Sequence, residues 1–342
     1  MKKQSIDFEA QGASGKSVES EKGARSDECG SGDKLDAEII AKKIAERGIA
    51  CGKVEVFDTI DSTNLKAKRF AEDEARAQKR DGGCLSSDES GEGAKREHAL
   101  FVADCQTAGH GRMGRAFSSP AGSGVYFSLL YFPQSAIEDP AIFTVSAAVA
   151  VCRAVEELYG VPCQIKWVND IYVRGKKICG ILAEGIADSA SGKLSAIVVG
   201  IGINVKHRDF PGEIAQTAAS IEDFVDASAP KVCVSRNELA ANIISGLLKI
   251  YALQDKSAND KAAKDSVAAI IKEYQFRANS FLAGKRVTVN PLVSGAPSEK
   301  PYGAIVKAVN SNAELIVIPL AEDETPLACE KTLRSGEVSL RL

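Results

Sequence analysis

Residues 109–132 read GHGRMGRAFSSPAGSGVYFSLLYF. The first six fit G-x-G-x-x-G, the spacing of a dinucleotide-binding turn, so the reading of this stretch decides the fold. Such a site needs a helix to open at the third glycine, because the helix N-terminus holds the pyrophosphate. Here Gly114 is followed by RAFSSPAGSG, and Pro120, Gly122 and Gly124 forbid a helix of useful length. The aliphatic and aromatic run 124–132 then predicts a strand. A P-loop fails as well, since Arg115-Ala116 stands where Lys-Ser/Thr is required. What remains is a glycine-rich loop between two strands, HALFVADCQ (98–106) and 124–132, carrying His110, Arg112 and Arg115. Glycines let backbone N–H groups approach an anion, and arginines offer forked donors to phosphate or carboxylate. From these residues alone, a hairpin loop with solvated charges reads equally well.

Composition narrows the classes around this loop. The chain has 342 residues, 44% hydrophobic and 26% charged, which suits a soluble globular protein with one large domain and a small one. A formal net charge of −3 gives no basic field, so no nucleic-acid partner is expected. The nine cysteines are odd in number and form no C-x-x-C pair, which excludes a zinc ribbon and a thioredoxin motif. Cys105, Cys152 and Cys179 sit among apolar neighbours and read as small buried hydrophobes. No signal-peptide core and no apolar run of membrane-spanning length is present. No membrane partner is expected, and unpaired cysteines point to the cytoplasm.

Residues 1–34 are polar and read as a disordered tail. LDAEIIAKKIAERGIA (35–50) predicts one amphipathic helix, which alone is not a DNA-binding helix-turn-helix. KVEVFDTI (53–60) predicts a strand, and DSTNLKAKRFAEDEARAQ (61–78) a capped helix. Residues 80–97 are rich in Gly and Ser and read as a surface insertion. A helix is predicted over 139–160, with Asp139 as cap, Pro140 in the first turn and Gly160 at the end. CQIKWVNDIYV and KKICGILAEG (163–185) predict a hairpin turning at Arg174-Gly175, and SAIVVGIGINV (195–205) a buried strand. Ser235 and Glu238 spell a capping box for a helix over 235–253, and another helix covers about 261–277. From about 283 short strands alternate with turns, which reads as a small all-β, barrel-like domain.

Two further clusters bear on chemistry. In KWVND (166–170), strand alternation puts Lys166, Val168 and Asp170 on one face, and Trp167 and Asn169 on the other. Charged and amide groups among apolar residues are costly unless each has a partner. GIGIN (200–204) ends a buried strand. Alone, the first reads as a solvated hairpin and the second as a simple turn. Taken in order, DSTN (61–64), QTAGHGRMGRAFSSPAGSGVYFSL (106–129), KWVNDIYVRGKKICGILAEG (166–185), GIGIN (200–204) and GEVSLR (336–341) resemble the biotin–protein ligases from about residue 36 to the end.

The resemblance implies an α+β fold: a mixed sheet with helices like that of class II aminoacyl-tRNA synthetases, and a small C-terminal SH3-like β-barrel. It implies a 1–34 tail, a catalytic domain over 35–280 and the SH3-like domain over 281–342. It implies an ATP-dependent ligase that forms biotinoyl-5′-AMP and passes biotin to a lysine of a biotin carboxyl carrier domain. By motif position, Lys177 and Arg112 would be catalytic. Ser62, Thr63, Asn64, Gln106, Gly109, His110, Gly111, Arg112, Lys177 and Gly180 would bind biotin. Arg112, Arg115, Phe117, Asn169, Gly202 and Asn204 would bind ATP, and Asp170 would hold Mg²⁺. The choice of Lys177 over Lys176 follows the family register. His110, Phe117 and Val168 depart from the family's Arg, Trp and Pro. A lipoate or octanoyl ligase of the same fold, a ligase–repressor and a non-catalytic biotin binder are the rival readings, and a homodimer is left open.

Overall fold

A computed structural model describes residues 3–7, 33–80, 96–134, 140–188, 192–226, 234–290, 292–293, 296–297, 300–334 and 337–340. In chain order the first part comprises β1 (Lys3–Asp7), α1 (Ala37–Glu46), β2 (Lys53–Ile60), α2 (Thr63–Arg80), β3 (Ala99–Gln106), β4 (Gly124–Tyr131), α3 (Ala141–Tyr159), β5 (Gln164–Lys166), β6 (Asp170–Val173), β7 (Lys176–Ala187) and β8 (Leu194–Asn204). The second part comprises α4 (Arg236–Lys256), α5 (Lys261–Leu282), β9 (Arg286–Asn290), β10 (Leu292–Val293), β11 (Ala296–Pro297), β12 (Tyr302–Val309), β13 (Leu315–Pro319), β14 (Lys331–Leu333) and β15 (Glu337–Leu340).

The fold is mixed α+β. One sheet has eight strands in the order β1-β2-β3-β4-β8-β7-β6-β5, and only β2 and β3 run parallel. A separate antiparallel sheet has five, ordered β14-β13-β12-β9-β15. Period-two alternation sorts the core between the faces of the large sheet. Leu100, Val102, Phe127 and Leu129 join the cluster that includes α1, α3 and α4, while Phe101, Ala103, Leu130 and Val198 pack with Ala67 and Ala71 of α2. α3 is buried along most of its length, and Gly160 ends it in the left-handed conformation, φ 66°.

The structure departs from the sequence reading in several places. Lys3–Asp7, inside the stretch expected to be a disordered tail, forms β1 and pairs with β2. Residues 8–32, most of the 80–97 insertion (81–95), the cap Asp139 and Gly336 and Arg341 of GEVSLR lie outside the described residues. The alternation assumed through KWVND is broken: Trp167, Val168 and Asn169 form a turn joining β5 to β6, with a cis Trp167–Val168 peptide. Lys166 and Asp170 therefore share a face as cross-strand partners rather than as neighbours along one strand. Only half of the capping box forms. Ser235 Oγ accepts the Glu238 N–H at 3.1 Å, but the Glu238 carboxylate pairs with Lys43 of α1 and Arg47 at its C-cap instead. α5 runs to Leu282, beyond the expected end.

Two polar clusters fix these elements. Arg236, 4% exposed, donates to Asp33, to Asp104 and to the Gly124 carbonyl, joining α4 to the segment before α1 and to β3 and β4. Arg277 of α5 grips Glu156 of α3 through two N–H donors, at 2.5 and 2.7 Å, and the Cys163 N–H adds a third at 2.9 Å. Burial pushes the Glu156 carboxyl up, but the hydrogen bonds from Arg277 and Cys163 and the Arg277 charge outweigh it and hold it below the usual range.

Both clusters can be tested. Arg236→Ala removes the buried guanidinium from the Asp33 and Asp104 carboxylates and lowers the unfolding free energy by about 3 kcal/mol. Urea denaturation reads this, and a loss under about 1 kcal/mol contradicts it. Because the folded carboxyl of Glu156 is lowered, its stabilisation is complete above the ordinary carboxylate value and drains away as pH falls through the lowered one. Glu156→Gln should flatten that acid limb in melting curves taken against pH; an unaltered limb assigns it elsewhere.

Candidate functional site

The floor of the site is the α2-facing surface of the large sheet. On it Gly180 of β7 lies opposite Gly202 of β8, and Gly200 lies opposite Ser128 of β4. The missing side chains leave room for groups from elsewhere. A Cβ at Gly202 would stand 2.5 Å from the Phe117 ring, and one at Gly200 would stand 2.0 Å from Asn64 Oδ1. Phe117 and Asn64 therefore rest on bare backbone.

Above this floor opens a cavity of about 590 Å³. Ser62, Thr63 and Asn64 enter it from the start of α2, and Gln106 from the end of β3. The loop after β3 contributes His110, Gly111, Arg112, Arg115 and Phe117. The β5–β6 hairpin contributes Asn169 and Asp170, and β7 and β8 contribute Lys177, Gly180 and Gly202. The structure thus brings together every residue singled out from the sequence except Gly109 and Asn204. Gly109 serves the loop's own shape, since a Cβ there would lie 2.7 Å from the Phe117 carbonyl. Asn204 is buried, donating to the Ala219 carbonyl at 3.3 Å and accepting from Arg208 at 3.2 Å. A larger hollow of about 910 Å³, between α3, α4, α5 and the β12–β13 turn, contains none of these residues.

The glycine loop is less open to anions than its composition suggests. Gly111 N–H is spent on the Arg115 carbonyl at 2.7 Å, and Phe117 N–H on the Gly109 carbonyl at 2.8 Å. The loop is a closed hairpin, and Arg112 and Arg115 supply its positive charge. Arg112 Nη1 lies 3.4 Å from Asn169 Oδ1, at the far edge of hydrogen bonding, while Asn169 Nδ2 donates to the Ile181 carbonyl at 2.7 Å. Asn169 is thus committed to protein groups.

Strict alternation along β7 would put Lys176, not Lys177, on the side of Gly180. The register with β6 shifts between Ile171 and Tyr172, leaving Ile178 as an extra, buried residue. This bulge re-aims the next side chain, as bulges beside sites do. Lys177 Nζ then lies 3.2 Å from where a Gly180 Cβ would be, and 2.7 Å from Asp170 Oδ1. Lys176 instead reaches the Gln216 carbonyl. The backbone of Lys177 is held through both its polar groups, its N–H by Thr217 O at 2.7 Å and its carbonyl by Ala219 N at 3.0 Å.

Several participants had escaped the sequence reading. Glu184, quoted within a motif but given no role, accepts from Asn64 at 2.8 Å and from Lys68 at 2.7 Å. Ser128 and Ser119 complete the polar wall, reaching Asn64 and Gln106. Leu340 of β15 brings the small sheet to the cavity's edge. Trp167 Nε1 donates across to the Ala313 carbonyl of that sheet's β12–β13 turn at 2.9 Å. Among the described residues no three His, Cys, Asp or Glu side chains converge on a metal-sized site.

The arrangement can hold an anion between Arg112, Arg115 and Lys177, with a separate polar wall at Ser62–Asn64. The model of the Biotin/lipoate A/B protein ligase family matches residues 84–204. The Bifunctional ligase/repressor BirA of Bacillus subtilis is 43% identical over 127 residues, and the match spans only 38% of that protein's length. The biotin–[acetyl-CoA-carboxylase] ligase of Mycobacterium tuberculosis is 30% identical over 201 residues, covering 58% of this chain and 66% of that protein. Among solved structures, the biotin protein ligase of Aquifex aeolicus in complex with biotin and ATP superposes with a TM-score of 0.57 at 25% identity, over 84% of this chain and 98% of that one. By matched core, relatives and fold, the chain belongs to the biotin–protein ligase family.

Proposed function

We propose that the chain condenses biotin with ATP to biotinoyl-5′-AMP and transfers biotin to a lysine of a biotin carboxyl carrier domain. The observation that carries this is the convergence of five separate sequence segments on one cavity, with Lys177 beside Gly180, Arg112 beside Asn169 and Asn64 against Gly200. The neutral wall, Ser62, Thr63, Asn64 and Gln106, suits the uncharged ureido ring. The cationic end suits a carboxylate and three phosphates.

In the first step a biotin carboxylate oxygen attacks the α-phosphorus. The bond from that phosphorus to the bridging oxygen breaks, and pyrophosphate leaves. Two anions must meet, so charge screening at the α-phosphate dominates the barrier. Lys177 does this work, with Arg112 between carboxylate and phosphate, Arg115 at the mouth on the outer phosphates and Asn169 steadying Arg112. In the second step the neutral amine of the acceptor lysine attacks the acyl carbon. The acyl–phosphate bond breaks, AMP leaves, and the amine gives up a proton.

Lys177 pairs with Asp170 at 2.7 Å. Phosphate arriving at Lys177 frees that carboxylate. Mg²⁺ prefers one or two carboxylates together with substrate phosphates, and a lone Asp170 suits an ion that comes in on ATP, where it would supply charge neutralisation. The free face of the Phe117 ring would take adenine. His110, whose Nδ1 donates to the Ala108 carbonyl, would flank the carboxylate.

On this reading residues 35–280 form the catalytic domain, with the class II synthetase-like sheet, and 281–342 an SH3-like barrel. The described cysteines are free, which suits a reducing cytoplasm. No helix among the described residues is long and apolar enough to cross a membrane.

Labelled biotin should pass to a carrier domain in the presence of ATP and Mg²⁺; incorporation of lipoate but not biotin would sink the reading. Lys177→Ala should keep the fold, by circular dichroism, and lower kcat for adenylation by about 10²–10³-fold. Activity within about threefold of the parent would show that Lys177 is not the charge stabiliser.

A further inference from the structure

We infer that Glu184 fixes the hydrogen-bond polarity of the neutral wall, so that the cavity presents acceptors there and selects a ligand bearing N–H donors. The inference rests on the biotin reading and goes past it, naming the residue that makes the wall recognise a cyclic urea.

The protons of the wall can be assigned one by one. An ionised carboxylate only accepts hydrogen bonds, and a lysine ammonium only donates them. Glu184 Oε1 takes Lys68 Nζ at 2.7 Å and Oε2 takes Asn64 Nδ2 at 2.8 Å. Asn64 cannot turn its amide over, because its carbonyl oxygen would then face the carboxylate. Its Oδ1 must point to Ser128 Oγ, 2.5 Å away, and that oxygen can only accept. The single Ser128 proton is thereby committed. Ser128 Oγ also lies 2.7 Å from Thr63 Oγ1, and toward Thr63 it has only a lone pair left. The Thr63 hydroxyl must then donate, to Ser128 or to Gln106 Oε1 at 3.2 Å.

Gln106 is oriented independently. Its Oε1 accepts the Thr63 N–H at 2.9 Å, and its Nε2 donates to Ser119 Oγ at 3.0 Å, which donates on to the Phe117 carbonyl at 3.1 Å. With these protons placed, Thr63 and Asn64 have lone pairs left for the cavity. A ureido ring offers two N–H groups to such a wall; a carbamate offers one and a dithiolane none. The surroundings keep the device set. Burial pushes the Glu184 carboxyl up, yet the hydrogen bonds from Lys68 and Asn64 and the charges of Lys68 and His110 outweigh it and hold it below the usual range. Lys68 from α2 and His110 from the glycine loop are the charged or titratable groups that act on it.

Glu184→Gln reverses the device with no change of shape. Lys68 claims the new amide oxygen, the remaining NH₂ turns toward Asn64, and Asn64 must present its oxygen there and its own NH₂ toward Ser128. The measurement is pyrophosphate release with biotin and with the cyclic carbamate analogue in which oxygen replaces one ureido N–H. The parent should prefer biotin by about 10²-fold or more in kcat/KM, because a site built for an N–H rejects its loss. In Glu184→Gln the KM for biotin should rise about tenfold or more and the preference shrink about tenfold or more, with kcat and the KM for ATP near parental values. Lys68→Met leaves an acceptor-only carboxylate and should keep the preference. The inference is overturned if Glu184→Gln keeps the preference, if it loses kcat alone, or if Lys68→Met abolishes the preference as fully. A parent protein that activates no biotin overturns the functional reading, and the inference with it.

Discussion

The site depends on a constraint of strand geometry. Every second residue of a strand projects from the same face, and three strands laid side by side cover that face with side chains. β8 and β7 avoid this where the cavity lies, because Gly180, Gly200 and Gly202 present only backbone. The vacancy is filled from outside the sheet, by the Phe117 ring from the glycine loop and by Asn64 from α2. A methyl group at Gly202 would displace the first, and one at Gly200 the second. Each glycine weakens a strand. The cost is carried by the buried residues on the opposite face, such as Val199, Ile201 and Ile203, which lock β8 into the core.

The second organising feature is how narrowly chain geometry selects one lysine out of a Lys-Lys pair. Arg174 and Gly175 close the β6–β7 turn with φ of 47° and 81°, the left-handed pair that a two-residue hairpin prefers. That sets the start of β7. The bulge at Ile178 then rotates the two halves of β7 relative to each other. Without it, Lys176 would face the cavity and Lys177 the loop at 216–219. The segment 217–219 lies along Lys177 as an extra strand-like edge and holds both its N–H and its carbonyl. The Lys177 ammonium is thus mounted on a backbone with little freedom, which suits the charge stabilisation proposed for it.

Much of this was legible in the sequence. The failure of a helix after Gly114 came from Pro120, Gly122 and Gly124, and the Arg174-Gly175 turn from residue type. Fourteen of the sixteen proposed site residues line one cavity because the motifs were read together and in order. What could not be read was pairing at a distance. Nothing local ties Glu184 to Asn64, 120 positions away, or sends Glu238 to Lys43 and Arg47 rather than back to its own helix cap. The turn at 167–169 hid because KWV continues an apolar run without a Gly or Pro to mark it. Strand β1 hid for the opposite reason, since KQSID has a single aliphatic residue, and its order comes from the exposed edge of β2 that it pairs with.

The ion pair between Lys177 and Asp170 has a consequence for which ions can enter between them. Each group is the other's counter-ion, so neither can be recruited alone without stranding a charge in a half-buried place. A free phosphate could satisfy the lysine but would leave the carboxylate exposed to it. A free divalent ion could satisfy the carboxylate but would leave the ammonium beside it. Only a visitor that brings an anion and a cation together dissolves the pair at no electrostatic loss. On the proposed reading, the pair therefore favours a metal-bearing polyphosphate over loose phosphate or a loose divalent ion.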